Sequence, residues 1–219
     1  MQNAAITGAG SGLGKALALK YANNGFNVYL LGRNDTKLHI VQNEILKNGG
    51  KAEVVLCDVR EPASVSIAFQ KIGELDVFIN NAGIGIFGSV ENYSVEDIEG
   101  TLDTNIKGTI LTVQSALPLI RESKGRILTI ISTAGLRGKV NESIYCASKF
   151  AVRGFTESLQ KEWENEPLSI TAVYMGGMNT PFWDNSTHVT DTSRLKSPEI
   201  VAEQIYNEDD GRKEILVDR

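Results

Sequence analysis

Short apolar runs alternate with stretches of helical periodicity along the whole chain, and this alternation constrains the fold more than any other feature. The runs Asn3 to Thr7, Val28 to Leu31, Glu53 to Cys57, Asp76 to Asn80, Arg126 to Ser132 and Ser169 to Met175 have the length of strands buried on both faces. Between them apolar residues recur at helical spacing, as in Leu38, Val41 and Ile45, then Val65, Ala68, Phe69 and Ile72. Ser94 with Asp97 reads as a capping-box variant that opens a long helical region, containing Leu102 and Asn105 and running towards Pro118. A last short strand is expected over Glu214 to Val217. Strands joined in this way demand a parallel sheet with right-handed crossovers and helices on both faces, the doubly wound α/β class. At 219 residues the chain is expected to form one domain over 1–219. Its least regular part, Gly176 to Pro198, reads as a short lid on the carboxyl side of the sixth strand. Ligands of open α/β sheets bind at that edge.

The charge balance narrows the partners. With 22 basic and 27 acidic residues the net charge is −5, and no basic stretch is present that could track nucleic acid or an anionic membrane. No apolar run approaches the roughly 20 residues of a membrane span, and the N-terminus enters the first strand without a leader pattern, so a cytoplasmic location is expected. Cys57 and Cys146 lack C-x-x-C spacing and read as reduced, buried packing residues rather than as a disulfide or metal ligands. His39 and His188 have no ligand spacing around them and read as surface or packing residues.

Thr7-Gly8-Ala9-Gly10-Ser11-Gly12-Leu13-Gly14 follows the first strand and opens a helix. Glycines there permit a tight turn and close backbone approach, and the helix N-terminus offers free N–H groups and a favourable dipole to a pyrophosphate. The run is not G-x-G-x-x-G from Gly8, because Leu13 holds the third glycine position. Nor is it a P-loop, since Ala9 and Ala16 stand where a glycine and a magnesium-binding hydroxyl belong. At the end of the second strand, Gly32 occupies the place of a ribose-binding acid and Arg33-Asn34 follow, which favours the 2′-phosphate of NADP over NAD. Asp35 nearby is the residue that would still suit a ribose.

Ser132 ends the fifth strand, Tyr145 follows thirteen residues later, and Lys149 lies four beyond it on the same helical face. A free tyrosine is a poor base at neutral pH, with a pKa of about 10, and a nearby ammonium is expected to lower it. Ser132 is placed to donate a hydrogen bond where negative charge develops on a substrate oxygen. The hydride itself would come from a nicotinamide.

Taken together, Thr7-Gly8-x-x-x-Gly12-x-Gly14, Asp58 after the third strand, Asn80-Asn81-Ala82-Gly83 after the fourth, Asn105, Ser132 and Tyr145-x-x-x-Lys149 resemble the short-chain dehydrogenase/reductase family across nearly the whole chain. The resemblance implies a Rossmann fold with strand order 3-2-1-4-5-6-7. It implies catalysis by Asn105, Ser132, Tyr145 and Lys149, and an NADP(H) site formed by Gly8, Ser11, Gly12, Leu13, Gly14, Arg33, Asn34, Asp58, Val59, Asn81, Ala82, Gly83, Tyr145, Lys149, Met178 and Thr180. In the family the aspartate contacts adenine, the asparagine bends its helix and holds a relay water, and the lysine also binds the nicotinamide ribose. A homodimer or homotetramer built partly on the helices of Asn105 and Tyr145 is implied as well.

Two departures stand out. Met175-Gly176 replaces the usual Pro-Gly, which removes a fixed φ and is expected to loosen the turn before Met178 and Thr180. The chain is also short after Thr180, which suggests an open substrate site. Phe182 and Trp183 would either close over substrate or fasten the lid, and Ile84, Ile86, Phe87, Leu136 and Val140 would either line the site or pack in the core. Arg137 is a candidate anion contact. The expected activity is an NADP(H)-dependent interconversion of a carbonyl and an alcohol; a dinucleotide-binding regulator without turnover is the alternative. A sugar-nucleotide epimerase would need a larger C-terminal region.

Overall fold

The computed structural model describes residues 1–184, 186 and 188–217. Seven strands, β1 (Asn3–Thr7), β2 (Asn27–Gly32), β3 (Lys51–Leu56), β4 (Val77–Asn80), β5 (Arg126–Ile130), β6 (Ser169–Tyr174) and β7 (Glu214–Leu216), form one parallel sheet in the order 3-2-1-4-5-6-7. Helices α1 (Gly12–Asn23), α2 (Asp35–Lys47), α3 (Pro62–Ile72), α4 (Val95–Leu102), α5 (Gly108–Ser123), α6 (Ser143–Glu162) and α7 (Pro198–Glu208) connect them.

The period-2 alternation of the strands separates two cores. Ala4 and Ile6 of β1 face one layer with Leu17 of α1, Val41 of α2 and Val201 of α7. Ala5, between them, faces the other with Phe69 of α3, Val113 of α5 and Leu159 of α6. Burial on both faces explains why the strands read as continuous apolar runs. The amino end of β5 is tied to α1 by Asp209, whose buried carboxylate accepts 2.7 Å bonds from Arg126 Nε and a 2.5 Å bond from the Tyr21 hydroxyl. No helix among the described residues is long and apolar enough to cross a membrane.

The expected long helix is broken. Ser94 and Asp97 make the reciprocal capping box, with both bonds at 3.1 Å, but α4 stops at Leu102. A π-turn spans Asp103–Lys107 before α5 starts at Gly108 and carries Pro118 in its interior. π-turns inside helices gather at functional sites, and this one holds Asn105. The strand order reverses between β1 and β4, so the carboxyl ends of these two strands open the crevice in which the site lies.

Candidate active site

The glycine turn after β1 is shaped by what stands next to it. A Cβ on Gly14 would lie 2.3 Å from the Gly8 carbonyl oxygen and 2.7 Å from Asn81 Nδ2, so no other residue fits. Gly12 has a φ of +52°, and its open side faces Thr180 at 3.3 Å. The turn is tied to β4 through Thr7, whose buried hydroxyl accepts bonds from the N–H groups of Asn81 and Ala82, both 2.9 Å, while Asn81 Nδ2 donates to the Thr7 carbonyl at 2.9 Å. Asn80 reaches the other way, donating to the Thr109 carbonyl at 3.1 Å. Ser11 sits at the N-cap of α1 with its side chain making no capping bond, so the first-turn N–H groups of α1 remain available to an anion. A backbone cradle that a Cβ would fill, beside an uncapped helix N-terminus, fits a dinucleotide pyrophosphate.

The π-turn brings Asn105 beneath this cradle. Its Oδ1 accepts the Ile84 N–H at 2.8 Å, and its Nδ2 donates to the Ile84 carbonyl at 2.9 Å and to Ser148 Oγ at 3.0 Å. A Cβ on Gly83 would sit 3.3 Å from Asn105 Oδ1 and 3.7 Å from Lys149 Nζ, which places these two polar atoms under the Asn-Asn-Ala-Gly turn. Lys149 Nζ donates to the Ile130 carbonyl at 3.1 Å, at the end of β5.

Ser132 projects from the same strand end with a φ of +107° and a ψ of 151°, a backbone region that side-chain-bearing residues rarely enter. It is pinned on both sides: Ile131 N–H donates to the Val173 carbonyl at 2.8 Å and Thr133 N–H to the Met175 carbonyl at 2.9 Å. The second of these bonds also holds the turn that lacks the usual proline.

Tyr145 and Lys149 share one face of α6 and are both buried, at 7% and 6% exposure. Nζ lies 5.8 Å from the centroid of the phenol ring. Burial pushes the Tyr145 phenol above the ordinary tyrosine range; the Ser132 side chain pulls it down in part, and the Glu142 carboxylate pushes it up again. The same burial lowers the Lys149 ammonium to about 8. Desolvation, the largest influence on the phenol, raises it rather than lowering it and favours the neutral form of both groups.

Ser132, Tyr145 and Lys149 line one cleft of about 410 Å³, together with Gly8, Ser11, Gly12, Leu13, Gly14, Asn81, Ala82, Gly83, Met178 and Thr180, while Asn105 lies buried behind the lining, beneath Gly83. The remaining residues expected at the cofactor, Arg33, Asn34, Asp58 and Val59, do not line this cleft. Arg33 is exposed at the end of β2, close enough for its charge to act on Asp58. Asn34 caps α2, accepting from Lys37 N–H at 3.0 Å. Asp58 is engaged by Arg60, whose Nη2 lies 2.7 Å away and holds the carboxylate below its usual range. Val59 is buried against Gly108 at the start of α5.

The substrate side is more enclosed than the short lid suggested. Phe87 and Phe182 cover the Tyr145 ring, with centroids at 5.5 and 5.8 Å, and Trp183 stacks on Phe87 at 5.2 Å while its Nε1 donates to the Met178 carbonyl at 2.9 Å. Phe182 and Trp183 thus both cover the site and fasten the lid. Leu136, Arg137 and Val140 are exposed and outside the cleft lining.

Sequence reasoning missed Lys37, Lys139 and Glu142, which line the cleft. Glu142, three residues before Tyr145, carries a signal in its helical spacing; Lys37 becomes visible only once α2 is placed beside the glycine turn. His188 was read as a surface or packing residue, yet its Nε2 lies 3.0 Å from Glu142 Oε1. Cys57 and Cys146 are buried free thiols.

A parallel sheet in this order, with a glycine turn at the switch point and a serine, tyrosine and lysine in the adjoining cleft, defines a Rossmann-type oxidoreductase. Residues 2–190 match the short chain dehydrogenase model, and the chain belongs to the short-chain dehydrogenase/reductase family. An oxidoreductase of Staphylococcus aureus strain USA300, named as uncharacterized, is 35% identical over 208 residues, covering 93% of this chain and 89% of the relative. A putative NAD(P)-dependent gluconate 5-dehydrogenase from Beutenbergia cavernae, solved with bound NADP, is 28% identical with a TM-score of 0.90, covering 99% of this chain and 95% of that one. A short-chain dehydrogenase/reductase from Burkholderia phymatum, solved with NAD, shares the fold at a TM-score of 0.88 and 24% identity, covering 98% and 88%. The chain is an oxidoreductase of this family.

Proposed function

We propose that this protein is an NADP(H)-dependent oxidoreductase that interconverts a carbonyl and an alcohol, with Tyr145 as the general acid and base. The observation that carries the reading is the convergence of Ser132, Tyr145 and Lys149 on the cleft that also contains the Gly8 to Gly14 turn. When bound, the nicotinamide supplies the hydride. Ser132 Oγ donates to the substrate oxygen as charge grows there, and its strained backbone aims it without further reorganisation. Burial keeps the Tyr145 phenol protonated, so in the reductive direction it is ready to give a proton to a nascent alkoxide. Lys149, lowered to about 8, is able to return that proton to the phenol.

NADP is preferred in this reading because Arg33 stands at the end of β2 and Lys37 lines the cleft one turn into α2, so two cations flank the place of a 2′-phosphate. The substrate is an apolar carbonyl compound, and no nucleic acid or membrane takes part. A homodimer or homotetramer is supported by the exposed apolar residues Val95, Ile98 and Leu102 of α4, Ile110 of α5 and Phe150 of α6.

Titrating the protein with NADPH and NADH and following oxidation of each with a panel of ketones, aldehydes and quinones tests the reading. Preferred NADPH binding with turnover of at least one carbonyl is expected. Tight NADPH binding without turnover on any of them would identify a regulator instead. Arg33→Ala is expected to weaken NADPH roughly tenfold and leave NADH unchanged, the loss of one charge-assisted contact.

A further inference from the structure

Glu142 and His188 lie outside the reaction just described, yet they meet above it. The Glu142 carboxylate is almost fully buried, with a side chain 8% exposed, at the N-terminal edge of α6. Its Oε1 lies 3.0 Å from His188 Nε2, across 46 residues of chain, and its Oε2 faces Lys139 Nζ at 3.8 Å. A buried carboxylate is costly unless it is partnered, so this contact is held by the desolvation it relieves. The His188 ring lies flat on Phe87, with centroids 4.8 Å apart and planes 16° apart, and it also stacks loosely on Trp183 at 6.3 Å. Phe87 in turn touches Phe182, Trp183 and Tyr145.

We propose that the Glu142–His188 contact is the clasp that holds an aromatic wall over Tyr145, and that it thereby selects flat, ring-bearing carbonyl substrates over small aliphatic ones. Both are positioning residues. Glu142 fixes His188, His188 backs Phe87 and Trp183, and Phe87 holds Phe182, so that Phe182 and Trp183, which line the cleft, offer aromatic surface beside the reacting phenol. A small aliphatic carbonyl reaches Ser132 and Tyr145 without using the wall. This inference rests on the carbonyl reductase reading for its substrate class, but the wall itself is testable without turnover.

Trp183 is one of two tryptophans, so a Trp163→Phe background makes its emission report on the wall alone. In that background Glu142→Ala and His188→Ala are each expected to shift the emission to longer wavelength and increase acrylamide quenching. Each is expected to raise KM for an aromatic ketone on the order of tenfold, the loss of one charge-assisted hydrogen bond; His188→Ala leaves kcat and the KM for a small aliphatic ketone little changed, whereas Glu142→Ala also removes a charge that acts on Tyr145 and is read by the ratio of the two KM values. The double variant should be no worse than either single one, because both remove the same contact. Glu142→Gln, which still accepts a bond from His188, should restore the emission. His188 lies in the lid outside any helix, so its variant keeps the test valid if changes at Glu142 disturb α6. Unchanged emission and quenching in His188→Ala would overturn the clasp. So would additive effects in the double variant, or equal KM changes for aromatic and aliphatic substrates. Absent turnover in the parent protein, with the emission shift intact, would overturn the carbonyl reductase reading and the substrate selection, leaving the clasp standing.

Discussion

Asn105 Nδ2 donates to Ser148 Oγ at 3.0 Å, joining the π-turn between α4 and α5 to the helix that carries Tyr145 and Lys149. Ser148 passes the link on, donating to the Tyr145 carbonyl at 2.7 Å. Because Asn105 also pairs with both backbone groups of Ile84, one amide fixes the turn after β4, the bulged helix and the catalytic helix together. Asn105→Ala leaves the Ile84 groups and the Ser148 hydroxyl without that partner in a buried setting, a loss of about 2 to 3 kcal/mol. Urea unfolding should show this loss, and turnover should fall more than cofactor affinity. Ser148→Ala, which removes a smaller part of the network, should cost about 1 kcal/mol.

The Ser132 backbone gives a second expectation. At a φ of +107° a side-chain-bearing residue is strained by about 1 to 3 kcal/mol, and glycine is not. Glycine loses some of that advantage through the greater freedom of its unfolded chain. Ser132→Gly is therefore expected to be more stable than Ser132→Ala by about 1 kcal/mol, although both lose turnover with the hydroxyl. Equal denaturation midpoints for the two would show that the strain is absent.

Much of this arrangement is legible in the amino-acid order. The strands announce themselves because burial on both faces makes Ala4, Ala5 and Ile6 uniformly apolar, and Gly14 is fixed by a local clash that only a hydrogen side chain avoids. Tyr145 and Lys149 share a helical face, so their spacing alone pairs them. A bend at Asn105 follows from the family resemblance and agrees with the π-turn, but composition alone does not show it, since Asp103 to Lys107 reads as ordinary helix. The depth at which Tyr145 is buried, which pushes its phenol up, is not readable from its spacing to Lys149. His188 was dismissed for lacking ligand spacing, whereas its partner Glu142 lies on another element and meets it only through the fold.

Lys149 makes stability depend on alkaline pH. Its ammonium is lowered from 10.5 to about 8 by burial, so between these values the unfolded chain holds a proton that the folded chain has released. Stability from this group therefore rises from about pH 8 towards 10.5, by roughly 3 kcal/mol at most, and below 8 the burial penalty is present in full. The raised Tyr145 phenol acts in the opposite sense above pH 10, where the unfolded chain ionises first. Chemical denaturation between pH 7.5 and about 9.5 should show a rise in stability that Lys149→Met removes.

The most direct measurement of the central claim is steady-state reduction by Tyr145→Phe beside its NADPH dissociation constant. The phenylalanine keeps the ring contacts with Phe87 and Phe182 but has no proton to give. Turnover should fall by at least about a hundredfold, the usual contribution of a positioned general acid, with NADPH binding within about twofold of the parent. Turnover equal to the parent, on any carbonyl that the parent reduces, would contradict the assignment of Tyr145 as the proton donor.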